Sequence, residues 1–297
     1  MKDTINNTGV EMLIDNKPED AEALFRQAIK ENGKDSSAYN NLAFLLQQQG
    51  NLDEAEKAAR KSVKLNDTSS PAWLNLGNIL VQKEKGEEGV KCMVKSIELN
   101  PENSFAWESL ATVSMLQQDF EAAEKCRQTV VSLKGNSALS WAELGVVKAT
   151  LKKTDEAVAC FYKALDIDSS HAFAWKQLGI VELMRKNYGL AEKALLQSLV
   201  ILPDDETCRY NLALVFLSQN NIDKAKKQFD NILLLNPHNV KVLTERGVLD
   251  LGTNNLSGAE SFFKTALAID PDYMSAANYL KITLTQMEDA GSGKAGE

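Results

Sequence analysis

The side chains best suited to proton transfer, thiolate chemistry or metal binding are scarce in this chain: two histidines, His171 and His238, and four cysteines, Cys92, Cys126, Cys160 and Cys208, in 297 residues. General acid–base catalysis needs convergent groups of tunable proton affinity. The two histidines lie far apart, and no zinc-protease or paired-cysteine motif accompanies them. Gly291-Ser292-Gly293-Lys294 has the look of a phosphate-loop fragment, but Ala295 stands where Ser or Thr would hold magnesium, and neither a strand nor a helix is expected beside it. No catalytic residue, no metal ligand, no cofactor and no enzymatic activity are expected. The cysteines are informative in another way: Cys92, Cys126 and Cys160 are spaced by 34 residues. Packed helices sit about 8–10 Å apart and disulfide-linked Cα atoms within about 7 Å, so this ladder reads as small apolar packing residues rather than a redox or metal site.

The same interval separates all four tryptophans, Trp73, Trp107, Trp141 and Trp175. Phased on them, the chain divides without a gap into blocks starting at Lys2, Ser36, Ser70, Ser104, Ala138, Ala172, Glu206 and Val240, with a partial block from Met274. Position 8 of each block is Gly or Ala (Gly9, Ala43, Gly77, Ala111, Gly145, Gly179, Ala213, Gly247), and position 20 is Ala or Gly, as in Ala55, Gly89 and Ala123. Small residues at those two places let two helices cross closely. Positions 4, 7, 8 and 11 make one amphipathic stripe and positions 20, 24, 27 and 30 a second. Turn formers at position 32, including Pro101, Pro203, Pro237 and Pro271, end the second helix. Each block is thus expected to be a helix-turn-helix unit.

Composition narrows the class of partner. A formal net charge of −8, with 44% hydrophobic and 25% charged residues, lacks the positive field that nucleic-acid backbones or anionic membranes require. The N-terminus has no apolar leader and no window approaches the roughly 18 apolar residues of a membrane span. A cytoplasmic chain, with no nucleic-acid and no membrane partner, is expected.

Trp at position 4, Leu-Gly at 7 and 8, Ala at 20, Phe at 24, Ala at 27 and Pro at 32 resemble the tetratricopeptide repeat. The resemblance covers nearly the whole chain. It implies an all-α, right-handed superhelical solenoid of eight 34-residue helix-turn-helix repeats plus a C-terminal capping helix, with first helices (A) lining a concave groove and second helices (B) outside. Residues 1–287 are read as a single array, capped by a degenerate first block around Ile5 and by a last helix ending near Met287; residues 288–297 are read as a disordered tail.

By that resemblance, groove-facing side chains stand at positions 2, 5, 6, 9, 12 and 13. Asn7, Asn41, Asn75 and Asn211 occupy position 6, with Asn78 and Asn40 nearby. Primary amides both donate and accept, so this series reads either as a peptide-backbone ladder or as repeat consensus bonding locally. Phe44, Phe105 and Phe173, with Leu74 and Leu139, would supply apolar contacts. The charge pattern of a chaperone carboxylate clamp is missing, since Lys176 is followed by Ile180 at position 9. Polar residues also interrupt the core columns: Ser114, Lys148, Glu182 and Asp250 at position 11, Arg246 at 7 and Arg127 at 24. Arg246–Asp250 and Lys148–Glu182 are expected as structural ion pairs, with a polar pocket or self-association surface as the alternative. A protein or peptide partner in the groove is expected of a non-enzymatic scaffold or assembly factor; the alternatives are a regulatory or substrate-presenting subunit of a multi-protein enzyme complex, and self-association through terminal repeats.

Overall fold

In the computed structural model, residues 4–292 are described, with side chains for 5–289. The secondary structure is all α, with 17 helices among the described residues. The chain forms two compact units, Met1–Leu151 and Lys152–Glu297.

Unit 1 holds α1 (Thr4–Ile14), α2 (Pro18–Glu31), α3 (Ser36–Gln48), α4 (Leu52–Leu65), α5 (Ser70–Gln82), α6 (Gly86–Leu99), α7 (Ser104–Leu116), α8 (Phe120–Leu133) and α9 (Ala138–Thr150). Unit 2 holds α10 (Thr154–Ile167), α11 (Ala172–Met184), α12 (Tyr188–Ile201), α13 (Glu206–Ser218), α14 (Ile222–Leu235), α15 (Val240–Gly252), α16 (Leu256–Ile269) and α17 (Met274–Ser292). In unit 1, α1–α2, α3–α4, α5–α6 and α7–α8 pack as hairpins and α9 lies on α8; in unit 2, α11–α12, α13–α14 and α15–α16 do the same, α10 lies on α11, and α17 covers α16. Helix starts and stops follow the block boundaries expected from the 34-residue period.

Three local devices repeat with that period. The residue before most A helices caps it: Asp35, Ser69, Asn103, Ser137, His171, Asp205 and Asn239 each accept a backbone N–H from three residues on, satisfying a donor the first turn cannot. His171 is one of them, its Nδ1 3.2 Å from the Ala174 nitrogen. Each position-4 tryptophan donates its indole N–H to a carbonyl six residues earlier, Trp73 to Asp67 at 2.7 Å and Trp107 to Pro101 at 2.8 Å, tying the end of one repeat to the start of the next. Arg209 replaces tryptophan there and makes the same reach to the Pro203 carbonyl, at 2.7 Å. Position 15, in the turn between helices, is left-handed in every block: Gly50 at φ 78°, and Asn16, Glu84, Gln118, Lys152, Lys186, Asn220 and Asn254 at φ between 57° and 62°.

The small columns do what their size requires. A Cβ on Gly77 would stand 2.9 Å from the Gly89 carbonyl oxygen, and one on Gly89 2.9 Å from that of Gly77, so α5 and α6 meet backbone to backbone. Large apolar side chains from both helices of a repeat fill the cores: Phe25, Leu46, Leu76 and Ile79 in unit 1, Leu195, Phe229 and Phe263 in unit 2, all fully buried. The four cysteines are buried among them, none of them in a disulfide. Burial pushes the Cys92 and Cys208 thiols up to about 11 and raises Cys126, which keeps these thiols protonated and unreactive near neutral pH.

One expectation needs correction. The last helix runs past Met287 to Ser292, because Glu288, Asp289 and Ala290 carry no helix breaker and the first glycine comes only at 291; helix therefore does abut the Gly-Ser-Gly-Lys tetrad. Residues 293–297 of the expected tail lie outside the described residues. Of the expected ion pairs, Arg246–Asp250 forms, at 2.6 Å. Lys148 and Glu182 belong to different units, and each has a partner in its own: Lys148 meets Glu124 at 2.8 Å, and Glu182 meets Arg185 at 3.1 Å and accepts from Asn187 at 2.6 Å. Among the described residues no helix is long and apolar enough to cross a membrane.

Candidate functional site

The A helices α3, α5 and α7 stand side by side in unit 1, and their exposed columns enclose a cleft of about 650 Å³. Phe44 of α3 and Phe105 of α7 form its walls, Leu74, Asn75 and Asn78 of α5 its floor, and Leu116 one lip. Phe105 is 64% exposed, a large apolar ring held in water by a helix whose other face is fixed in the core. The polar lining is almost uncharged. Gln47, Gln82, Asn75, Asn78, Asn103 and Ser109 offer amides and a hydroxyl, and Glu108 is the one ionised side chain in the lining.

Glu108 leads into a second, polar cavity of about 280 Å³, shared with Thr112 and bounded by Arg127, Lys134 and Glu143. Arg127 occupies the position-24 column that holds Phe25, Met93, Phe161, Phe229 and Phe263 in other repeats. A guanidinium cannot be left bare there. Its Nη1 donates to Glu143 Oε2 at 2.6 Å and its Nη2 to Thr112 Oγ1 at 3.3 Å. Lys134 donates to Glu108 at 2.8 Å and lies 4.6 Å from the centre of the Phe105 ring, a cation–π contact that fixes the ring's orientation. Burial raises the Glu143 carboxyl above its ordinary value although the Arg127 charge opposes this.

Of the eight residues singled out from the sequence, the cleft gathers Phe44, Asn75, Asn78 and Phe105. The other four lie elsewhere. Asn41 sits beside the cleft and donates to Asn6 Oδ1 at 3.0 Å, while Asn7 points to solvent. Asn75 donates in the same way to Asn40 Oδ1, at 2.9 Å. The asparagine series is thus stitched into the protein, position 6 of one repeat to position 5 of the preceding one, because adjacent A helices bring those two columns within amide reach. That corrects the picture of a row of free amides, although each primary amide keeps a second N–H. Asn211, in unit 2, donates to the Thr207 carbonyl of its own helix at 2.8 Å. Phe173, also in unit 2, is half-buried and meets His171 edge to face, centroids 6.3 Å apart. The residues that sequence reasoning missed, Gln47, Gln82, Glu108, Thr112 and Leu116, all stand in the groove columns at positions 5, 9, 12 and 13; reading every column in every block would have found them.

Known families and structures resemble the chain as follows. Three tetratricopeptide repeat family profiles match, one over residues 12–80, one over 210–273 and one over both 70–103 and 138–171. No curated protein matches. Among solved structures, the Cut9–Hcn1 hetero-tetramer of the APC/C aligns over 90% of this chain at a TM-score of 0.60 and 18% identity, and this chain spans 52% of that one. PilW, a widely conserved type IV pilus biogenesis factor, aligns at TM-score 0.63 and 19% identity, over 71% of this chain and 98% of its own. YrrB, described as a TPR protein with an unusual peptide-binding site, aligns at TM-score 0.54 and 27% identity over 62% of this chain and 95% of its own.

Proposed function

Because the chain belongs to the tetratricopeptide repeat superfamily, whose helix pairs present surfaces rather than reactive groups, we propose that it is a non-enzymatic interaction scaffold or assembly factor that holds a partner's polypeptide segment in the cleft of unit 1. The observation that carries this reading is the pairing of Phe44 and Phe105 across an amide-lined cleft of about 650 Å³ with Glu108 as its one carboxylate. Exposed rings of this kind are costly to solvate and contribute heavily to binding when covered. The second N–H of Asn75 and the amides of Asn78 and Gln82 can bond an extended backbone whatever its side chains. The peptide-binding character ascribed to YrrB supports the assignment of ligand class. A cytoplasmic setting belongs to the same reading, since free buried thiols suit a reducing compartment.

Phage-displayed random 12-residue peptides selected on the protein test the proposal. Selected peptides should lose about 2 kcal/mol of binding, roughly 30-fold in Kd, on Phe105→Ala, and more on the Phe44→Ala/Phe105→Ala pair, with thermal unfolding unchanged. Peptides that bind the double variant as tightly as the parent would move the site elsewhere.

A further inference from the structure

The outer seam between successive B helices shows a second, independent opportunity. Position 25 of one repeat faces position 19 of the next across this seam. In unit 1 the first two such pairs are ionic: Arg26 meets Glu54 and Arg60 meets Glu88, each at 2.7 Å. The cavity beneath the first is lined by those charges together with Lys30, Lys57 and Tyr39, so its rim is ionic rather than apolar.

In unit 2 the first such pair is Tyr162 of α10 and Leu190 of α12. Neither can close the seam by charge, and both remain exposed, at 45% and 46%. Between them opens a cavity of about 500 Å³ whose floor is Trp175, Leu178 and Ala194. One cation stands on its rim: Lys193, on the same helix as Leu190, which has no ion pair among the described residues. The equivalent lysine of unit 1, Lys57, borders the Arg26–Glu54 pair instead. Val200 follows Leu190, Lys193 and Gln197 at helical spacing along the same face of α12 and is exposed, so the apolar track continues beyond the cavity.

We propose that this outer face of unit 2 is a docking site for an acidic, apolar-anchored segment of a partner protein. An aromatic or leucine side chain fills the space over Trp175, and a neighbouring aspartate or glutamate meets Lys193. The repeat frame makes the comparison internal: the two columns that carry opposite charges at the first two seams of unit 1 carry a phenol and an isobutyl group at the first seam of unit 2. Substituting both together replaces an ion pair at the cavity's rim by two exposed apolar groups, with Lys193 as the one charge left in the lining. The site is distinct from the cleft between A helices, so either can fail alone.

The test uses the full chain and phage-displayed random 12-residue peptides, selected on the parent and counter-screened on Tyr162→Arg/Leu190→Glu, which installs the pair that unit 1 already accommodates. Phe105→Ala serves as a second counter-screen, to set aside peptides held by the cleft. The expected result is a set of peptides with an apolar anchor and an adjacent Asp or Glu, weakened at least 10-fold by the double substitution and untouched by Phe105→Ala. Lys193→Glu should reverse the preference, so that replacing the peptide's acidic residue by Lys restores binding to that variant. Unchanged melting curves for both variants establish that folding is intact; Lys193→Glu alone decides the matter where the double variant unfolds. Absence of any peptide sensitive to these substitutions, or sensitive peptides with no acidic preference, would overturn the proposal.

Discussion

The two units apply one repeat frame to opposite ends. In unit 1 the A-helix face is open, with Phe44 and Phe105 flanking uncharged amides, while ion pairs bridge the outer seam at Arg26–Glu54 and Arg60–Glu88. In unit 2 the A-helix columns are taken up internally. Lys176 at position 5 is bound to Asp205 at 2.7 Å, and Lys241 at position 2 covers the Tyr210 ring at 4.2 Å, leaving a cavity of only about 250 Å³ beside them. There the outer seam is the one with an apolar rim, at Tyr162 and Leu190. Backbone geometry is shared, so the choice of which face stays available rests on a few columns of side chains. A repeat scaffold can place a binding surface anywhere those columns are relieved of internal partners.

Both units also use buried charge to join neighbouring repeats, and perturbing those joints gives the largest expected effects. Asp250 is 2% exposed and lies 2.6 Å from both Lys226 and Arg246; burial pushes its carboxyl up, but the two cations outweigh this and hold it below the usual range. Asp250→Ala leaves Lys226 with the Thr253 hydroxyl and Arg246 with Asp230, and should cost about 3 kcal/mol in chemical denaturation, with protection from hydrogen exchange lost first around α14–α16. An unfolding midpoint close to that of the parent would mean that unit 2 is not held by this network.

Glu56 is the counterpart in unit 1. It accepts from Lys83 at 2.7 Å and from Lys85 and Arg60 at 2.9 Å, and the Lys83 hydrogen bond leads in depressing its carboxyl to about 2. Because the folded value lies below the unfolded one, its stabilisation is complete above about pH 4.5 and drains away as pH falls toward 2. Glu56→Gln should remove up to about 3 kcal/mol at neutral pH and flatten the acid limb of the stability profile between those values. An acid limb identical to the parent's would reassign it to other carboxylates.

Smaller changes probe the frame that the units share. Gly77→Ala forces a methyl against the Gly89 carbonyl, so α5 and α6 must separate, at about 1–3 kcal/mol; the same exchange at Gly189, which has open space around it, should be neutral or slightly stabilising by its helix propensity. Asn41→Ala and Asn75→Ala each remove one inter-repeat amide bond and should cost about 1 kcal/mol in thermal unfolding. If instead they weaken selected peptides and leave stability untouched, the asparagine series faces the ligand more than it faces the protein.

Helix boundaries and packing columns were legible from the sequence because each repeat restates the same local problem: a small residue where backbones cross, a capping side chain before the A helix, a large apolar group at position 24. The exceptions were legible as exceptions, Arg127 in the position-24 column and Asp250 in the position-11 column; the Arg246 partner of Asp250, one turn away on the same helix, was legible too, but partners on neighbouring helices were not. Arg127 finds Glu143 and Thr112, and Lys148 finds Glu124 within its own unit, because pairing depends on which side chains from neighbouring helices reach the same point in space. The asparagines teach the same lesson. Their recurrence is visible in the chain, whereas their bonding to Asn6 and Asn40 follows from the spacing of adjacent A helices.

The sequence by itself determined the period, the helices and the buried columns, since these follow from propensity and hydrophobic spacing along one dimension. Only the tertiary structure decided which polar groups are consumed internally and which apolar ones stay uncovered, because that depends on distances between residues a full repeat apart. Phe105 and Phe173 occupy the same column, yet one walls an open cleft and the other rests half-buried against His171.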